Sequence, residues 1–99
     1  MSKHPLDVFK RIDPEFFQHV NDTREFALSD GALPSKFKFL IAMALDSAAG
    51  TVDGVSSLTQ AALTAGATKE EIAETLRVAQ YISGVGTTYT AGRALAELF

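Results

Sequence analysis

The chain contains no cysteine. That excludes disulfides, thiolate nucleophiles and cysteine-ligated metals, and it leaves the redox compartment open. Nor is there a basic stripe: nine Lys and Arg are scattered among twelve Asp and Glu, for a net charge of −3. Nucleic acid is therefore not an expected partner. No apolar run approaches the roughly 20 residues needed to span a bilayer. The N-terminal stretch MSKHPLDVFKRID has no apolar signal core, so a cytoplasmic protein without a membrane partner is expected. No stretch alternates with period two for long enough to form a strand, and no low-complexity segment or linker divides the chain.

What is present is apolar and helical. The 99 residues are 46% hydrophobic and 21% charged, the balance of one folded domain spanning 1–99. A domain this small buries a modest fraction of its surface, so cover from a second copy is expected. The organising stretch runs from Phe39 to Gly66 and predicts two helices meeting at a tight corner around Gly50. The first is apolar almost without break from Phe39 to Leu45, which leaves little of its circumference suited to water. On the second, Val52, Val55, Leu58 and Ala62 recur at helical spacing against Asp53, Ser56, Ser57, Gln60 and Thr64.

The remaining elements follow from their ends. Pro5 to Arg11 predicts a short helix. Asp13-Pro14-Glu15 predicts a second, with a capping aspartate, proline at the first helical position and an acid in the first turn. It carries Phe16, Phe17, Val20 and Phe26 and stops near Ser29-Asp30-Gly31. Leu33-Pro34-Ser35 opens the helix that leads into the apolar run. Thr68 to Glu71 is a capping box, with Ile72, Leu76, Ala79 and Ile82 as the expected buried stripe of a fifth helix. Ser83 to Gly86 breaks the chain before a last helix from about Thr87 to Leu98, expected to pack through Thr88, Ala91, Leu95 and Leu98. The fold class is all-α, with about six helices around a central helical hairpin.

Few motifs carry chemistry. Gly84-Val85-Gly86 before Thr87 has the look of a phosphate loop, but no strand precedes it and no Walker lysine follows, so it reads as an interhelix turn. His4 and His19 have no partner at metal-ligand spacing, and His19 is expected at the edge of the core beside Phe16 and Phe26. No nucleophile elbow surrounds Ser56 or Ser57. Tyr89 and Arg93, one turn apart, suit stacking or a subunit contact. The acids are more informative. Asp53 stands at a helix start, where a carboxylate complements the dipole. Asp46 interrupts the apolar run near a helix C-terminus, the wrong end for an anion, and needs solvent or a partner. No cofactor and no metal site is expected.

The run GALPSKFKFLIAMALDSAAGTVDGVSSLTQAALTAG from Gly31 to Gly66, followed by ATKEEIAETLRVAQYISGVGTTYTAGRALAEL, resembles the carboxymuconolactone decarboxylase and alkylhydroperoxidase D-like family. The most telling pieces are Leu33 to Lys36, Ala61 to Leu76, and the Gly84-Val85 turn leading to the final Arg-Ala-Leu. The resemblance implies an alkylhydroperoxidase D-like helical fold and assembly into homo-oligomers, trimers or hexamers, with a pocket near the subunit contacts. It also implies which positions would form that pocket. The peroxidase branch has a C-x-x-C pair, a histidine one turn later and a glutamate on the preceding helix. Those positions are Thr51 and Gly54, Leu58, and Phe39 in this sequence. The decarboxylase branch usually keeps the histidine, and leucine moves no protons.

Two functions remain open. The chain is either an oligomeric helical protein with a degenerate or ligand-binding pocket, or a cofactor-independent decarboxylase or isomerase acting on a small organic acid or lactone. Peroxidase activity is not expected. In the enzymatic reading Asp46 and Asp53 are the catalytic candidates. Asp46 lies seven residues beyond Phe39 on the same helix, which at about 100° per residue returns it to within roughly 20° of the same face.

Overall fold

A computed structural model describes residues 4–99, so the first three residues of the polar N-terminal stretch lie outside the described residues. Six helices follow in order: α1 (Asp7–Ile12), α2 (Pro14–Leu28), α3 (Ser35–Ala49), α4 (Val52–Thr64), α5 (Lys69–Ser83) and α6 (Val85–Leu95). The all-α expectation is met, with no strand among the described residues. None of the helices is long and apolar enough to cross a membrane.

Local chemistry sets the helix ends. The Asp13 carboxylate accepts from the Phe16 N–H at 3.1 Å, with Pro14 in the first turn of α2. Thr68 and Glu71 exchange two bonds, Glu71 N–H to Thr68 Oγ1 at 3.0 Å and Thr68 N–H to Glu71 Oε1 at 2.9 Å. Together they satisfy two donors that a helix start otherwise leaves orphaned. Between α2 and α3 the Asp30 carboxylate accepts from both the N–H and the hydroxyl of Ser35, each at 2.6 Å. The Lys38 ammonium donates to the Ser29 carbonyl at 2.7 Å across the same loop. The break before α6 is confined to Gly84 (φ 93°), a left-handed backbone suited to glycine. The last helix therefore begins two residues earlier than its sequence suggests.

Helices α3 and α4 form the central hairpin; α5 packs on α3, and α6 lies against α3, α4 and α5. α1 and α2 make a two-helix arm that reaches this four-helix body through α2 and α3. The core joins Leu40 and Met43 of α3, Val55 and Ala62 of α4, Ala67, Ile72 of α5 and Ala94 of α6. Full burial of one such large aliphatic side chain contributes about 1.5–3 kcal/mol. A salt bridge from Lys36 to Glu71, 3.1 Å long, ties the start of α3 to the start of α5.

Several faces differ from expectation. On α5, Ile72 is buried and Leu76 packs against the core, but Ile82 points to solvent. On α6 Ala91 is buried and Leu95 packs against the core as expected, but Thr87, Thr90 and Ala94 are buried as well and Thr88 is exposed. The buried face is therefore broader than expected and extends to the preceding position at each turn. Those short side chains let α6 approach its neighbours closely. α2 buries nothing fully, leaving Phe26 among the most exposed hydrophobic side chains. His19 is exposed rather than at the core edge, 4.0 Å from Glu15.

Candidate functional site at the α3–α4 corner

The corner begins with a Schellman motif. Gly50 takes φ 83°; the Thr51 N–H donates to the Asp46 carbonyl at 2.9 Å and the Gly50 N–H to the Ser47 carbonyl at 3.3 Å. This pattern satisfies the last carbonyls of α3 and needs a left-handed residue, which glycine supplies without strain. α4 then starts at once, with the Val55 N–H donating to the Thr51 carbonyl at 3.0 Å. The backbone of Asp46, and not its side chain, thus closes the turn.

The half-buried Asp46 side chain goes elsewhere. A Cβ placed on Gly54 would lie 2.9 Å from Asp46 Cγ and 3.1 Å from Thr51 Cγ2, and would collide with Asp46 Oδ2. The carboxylate therefore rests directly on the backbone of the first turn of α4. That answers the sequence puzzle in part: it is at the unfavourable end of its own helix but beside the positive end of the next. Among the described residues, no hydrogen bond is made to this carboxylate.

The other candidates are distributed around it. Asp53 is exposed in the first turn of α4. Thr51 is exposed at the N-cap position without a side-chain capping bond. Phe39 and Leu58, half-buried, pack against the hydrophobic core. The two large surface grooves lie away from all six positions. One, of about 400 Å³, runs between α3 and α5; the other, of about 860 Å³, lies between α5, α6 and Phe99.

Two buried hydroxyls escaped the sequence reading. Thr59 on α4 and Thr87 on α6 are buried, and neither Oγ1 has a hydrogen-bond partner. Thr59 is one turn from Val55 and one from Ala62, so helical spacing alone marks it as inward-facing. No cluster of three or more His, Asp or Glu suited to a metal occurs among the described residues.

A family model for the carboxymuconolactone decarboxylase family matches residues 14–97. The chain belongs to the carboxymuconolactone decarboxylase family. Two solved structures share its fold. A carboxymuconolactone decarboxylase family protein from Legionella pneumophila, solved in its apo form, is 35% identical with a TM-score of 0.86; the match covers 92% of this chain and 81% of that one. A protein from Burkholderia xenovorans LB400, provisionally described as a carboxymuconolactone decarboxylase, is 25% identical with a TM-score of 0.87, covering 97% of this chain and 75% of that one. No curated protein is significantly similar to the chain. Within the family this member is free of cysteine, and Gly54 faces a carboxylate where the resemblance places the second cysteine of the peroxidase branch.

Proposed function

We propose that this carboxymuconolactone decarboxylase family member is a self-associating helical protein with a degenerate pocket, and not a peroxidase. One observation carries the reading: Phe39 and Leu58, at the positions implied for the family's glutamate and histidine, pack against the core. The groups that would move protons are replaced by side chains engaged in packing. The thiolate nucleophile of peroxide reduction is missing from the whole sequence, and nothing substitutes for it. A homo-oligomer, trimeric or hexameric, and a cytoplasmic setting belong to the same reading. Purified protein is expected to show no thiol-coupled turnover of alkyl hydroperoxides and a native mass several times that of one chain. Measurable turnover, or a folded monomer at micromolar concentration by light scattering, would overturn it.

A second reading is favoured by the Asp46 carboxylate, which is half-buried and makes no hydrogen bond among the described residues. A carboxylate held this way is available to a ligand or a proton. In that reading the corner binds a small organic acid or lactone, and Asp46, aided by Asp53, moves a proton without a cofactor. Proton transfer of this kind predicts a pH-dependent binding profile that disappears when the carboxylate is removed.

A further inference from the structure

The larger of the two surface grooves holds none of the residues considered at the corner. It encloses about 860 Å³ between α5 and α6, within the roughly 300–1,000 Å³ of small-molecule sites. Lys69 and Gln80, near opposite ends of α5, both line it, so it runs for about 16 Å along that helix. The wall between them is apolar. Leu76 of α5 and Leu95 of α6 pack against the core and turn their remaining surface into the groove. Ala73, exposed and carrying only a methyl group, keeps the middle open. The Phe99 N–H donates to the Leu95 carbonyl at 2.9 Å, and the residue adds an aromatic side chain that is 65% exposed.

The polar groups are few and stand toward the ends. Near the α5–α6 turn, the Thr88 hydroxyl donates to Gln80 Oε1. That engages the acceptor of the amide and leaves the Nε2 hydrogens for a ligand. Arg77 stands three residues before Gln80 on the same face of α5, with a guanidinium that donates and never accepts. It is exposed and, among the described residues, in no salt bridge. This end therefore offers donors and positive charge. The acid in the lining, Glu70, lies two turns from Arg77 at the other end, where the neighbouring Lys69 offsets its charge.

We propose that this groove binds a free medium-chain fatty acid, with its carboxylate at Arg77 and Gln80 and its tail laid over Ala73, Leu95 and Phe99. Two cations, Lys69 and Arg77, stand against one anion, Glu70. The resulting lining charge of +1 complements a single carboxylate, and a second negative charge on the ligand would meet Glu70. An arginine–carboxylate pair can be bidentate, and at an exposed rim neither charge has to leave water entirely. Burial of the tail then supplies affinity in proportion to its apolar area. The α3–α5 groove is lined by no charged residue, so it has nothing to hold a carboxylate. Small organic acids of the kind weighed for the corner lack the tail, and the α5–α6 groove does not retain them. The site goes beyond both readings of the corner and depends on neither.

Calorimetric titration of the purified protein with sodium decanoate, kept below its micelle-forming concentration, tests the site. Wild type is expected to bind one decanoate per chain. Decan-1-ol, which lacks the charge, and butyrate, which lacks the tail, are each expected to bind at least about tenfold more weakly. Arg77→Gln removes the charge and Ala73→Phe fills the middle of the groove. Both positions are exposed, so the helical circular dichroism should match the wild type. Each variant is expected to weaken decanoate binding at least about tenfold, whereas Arg24→Gln on the arm should leave it unchanged. No binding by the wild type, equal binding of decanoate and decan-1-ol, or variants that bind as the wild type does would each overturn the proposal. Heat released on mixing with phospholipid vesicles but not with decanoate would assign the groove to a lipid surface and overturn it too. If a variant loses its helical signal, amide shifts of isotope-labelled wild type decide: decanoate is expected to move residues 73–80 and 95–99, and shifts confined to other helices would place the ligand elsewhere and overturn the site.

Discussion

The carboxylate of Asp46 and the missing side chain of Gly54 occupy the same space: a Cβ on residue 54 would lie 2.9 Å from Asp46 Cγ and nearer still to Oδ2. The glycine is at the third position of α4, where glycine ordinarily costs about 1 kcal/mol relative to alanine. The approach of the Asp46 side chain from α3 leaves no room for a Cβ there. Any side chain at residue 54, including a thiol, requires Asp46 to leave.

The first prediction follows as a reversal of sign. In the wild type, Gly54→Ala is expected to destabilise by about 1 kcal/mol, because the overpacking penalty outweighs the gain in helix propensity. In an Asp46→Ala background the carboxylate clash is gone and only the exposed Thr51 methyl, 3.1 Å away, must give slightly, so the same substitution is expected to stabilise by about 0.5 kcal/mol. Denaturant unfolding of the four proteins measures the coupling. Equal effects in both backgrounds would show that the two positions do not compete.

The second concerns pH. Glu71 is held below the ordinary carboxylate range, first by the Thr68 backbone N–H and next by the Lys36 ammonium. Asp30 is lowered too, by the Ser35 hydroxyl and N–H. A carboxylate depressed in the folded state stabilises above its unfolded value, about 4.3 for Glu, and that stability is lost as pH falls through the folded value. Wild type is therefore expected to melt at a higher temperature than Glu71→Gln at pH 7, with the gap closing below about pH 4. Part of the acid sensitivity should persist in the variant because Asp30 still titrates. A gap of equal size at pH 7 and pH 3 would remove the ionic role of Glu71.

What was legible in the sequence divides along the same lines as these interactions. Helix ends depend on neighbours within a few residues, so Asp13-Pro14, Gly50 and the Thr68–Glu71 box could all be placed. Faces were harder. Ile82 falls on the helical spacing of the buried stripe yet belongs to the outward one, because α5 has apolar residues on two sides. On α6 Ala91 and Leu95 were placed, but Thr87, Thr90 and Ala94 were not, since alanine and threonine, small enough for close packing, give a weak apolar signal. The Asp46–Gly54 approach crosses from one helix to the next, and no local pattern announces it.

The third prediction addresses the orphan hydroxyls. Thr59 Oγ1 is buried without a partner, and an unpaired buried hydroxyl costs about 1–3 kcal/mol. Thr59→Val replaces it with a methyl group of nearly the same shape and is expected to raise stability by about 1 kcal/mol in chemical denaturation. Thr87→Val is expected to act in the same direction. Destabilisation by either would mean that the hydroxyl holds an internal water.

The last prediction separates the two functional readings at Asp46. Its carboxylate rests on the first turn of α4 without a hydrogen bond among the described residues, while its backbone carbonyl closes the Schellman turn. Asp46→Asn keeps the shape and leaves that carbonyl in place, so the corner should remain folded. What it removes is the negative charge beside the α4 N-terminus, an interaction of about 0.3–1 kcal/mol. A small loss of stability is therefore expected in either reading and cannot decide between them. Ligand binding decides. If the corner is degenerate, small organic acids and lactones bind neither protein, at any pH from 4 to 8 by calorimetry. If Asp46 handles a proton, the wild type binds such a ligand with a pH-dependent affinity and the Asn variant gives a flat profile. A variant that keeps the wild-type pH dependence would remove Asp46 from the chemistry, since its amide cannot titrate in that range. Asp53→Asn is the control: Asp53 is exposed, so a profile that flattens only with Asp46→Asn assigns the proton to the residue lodged against Gly54.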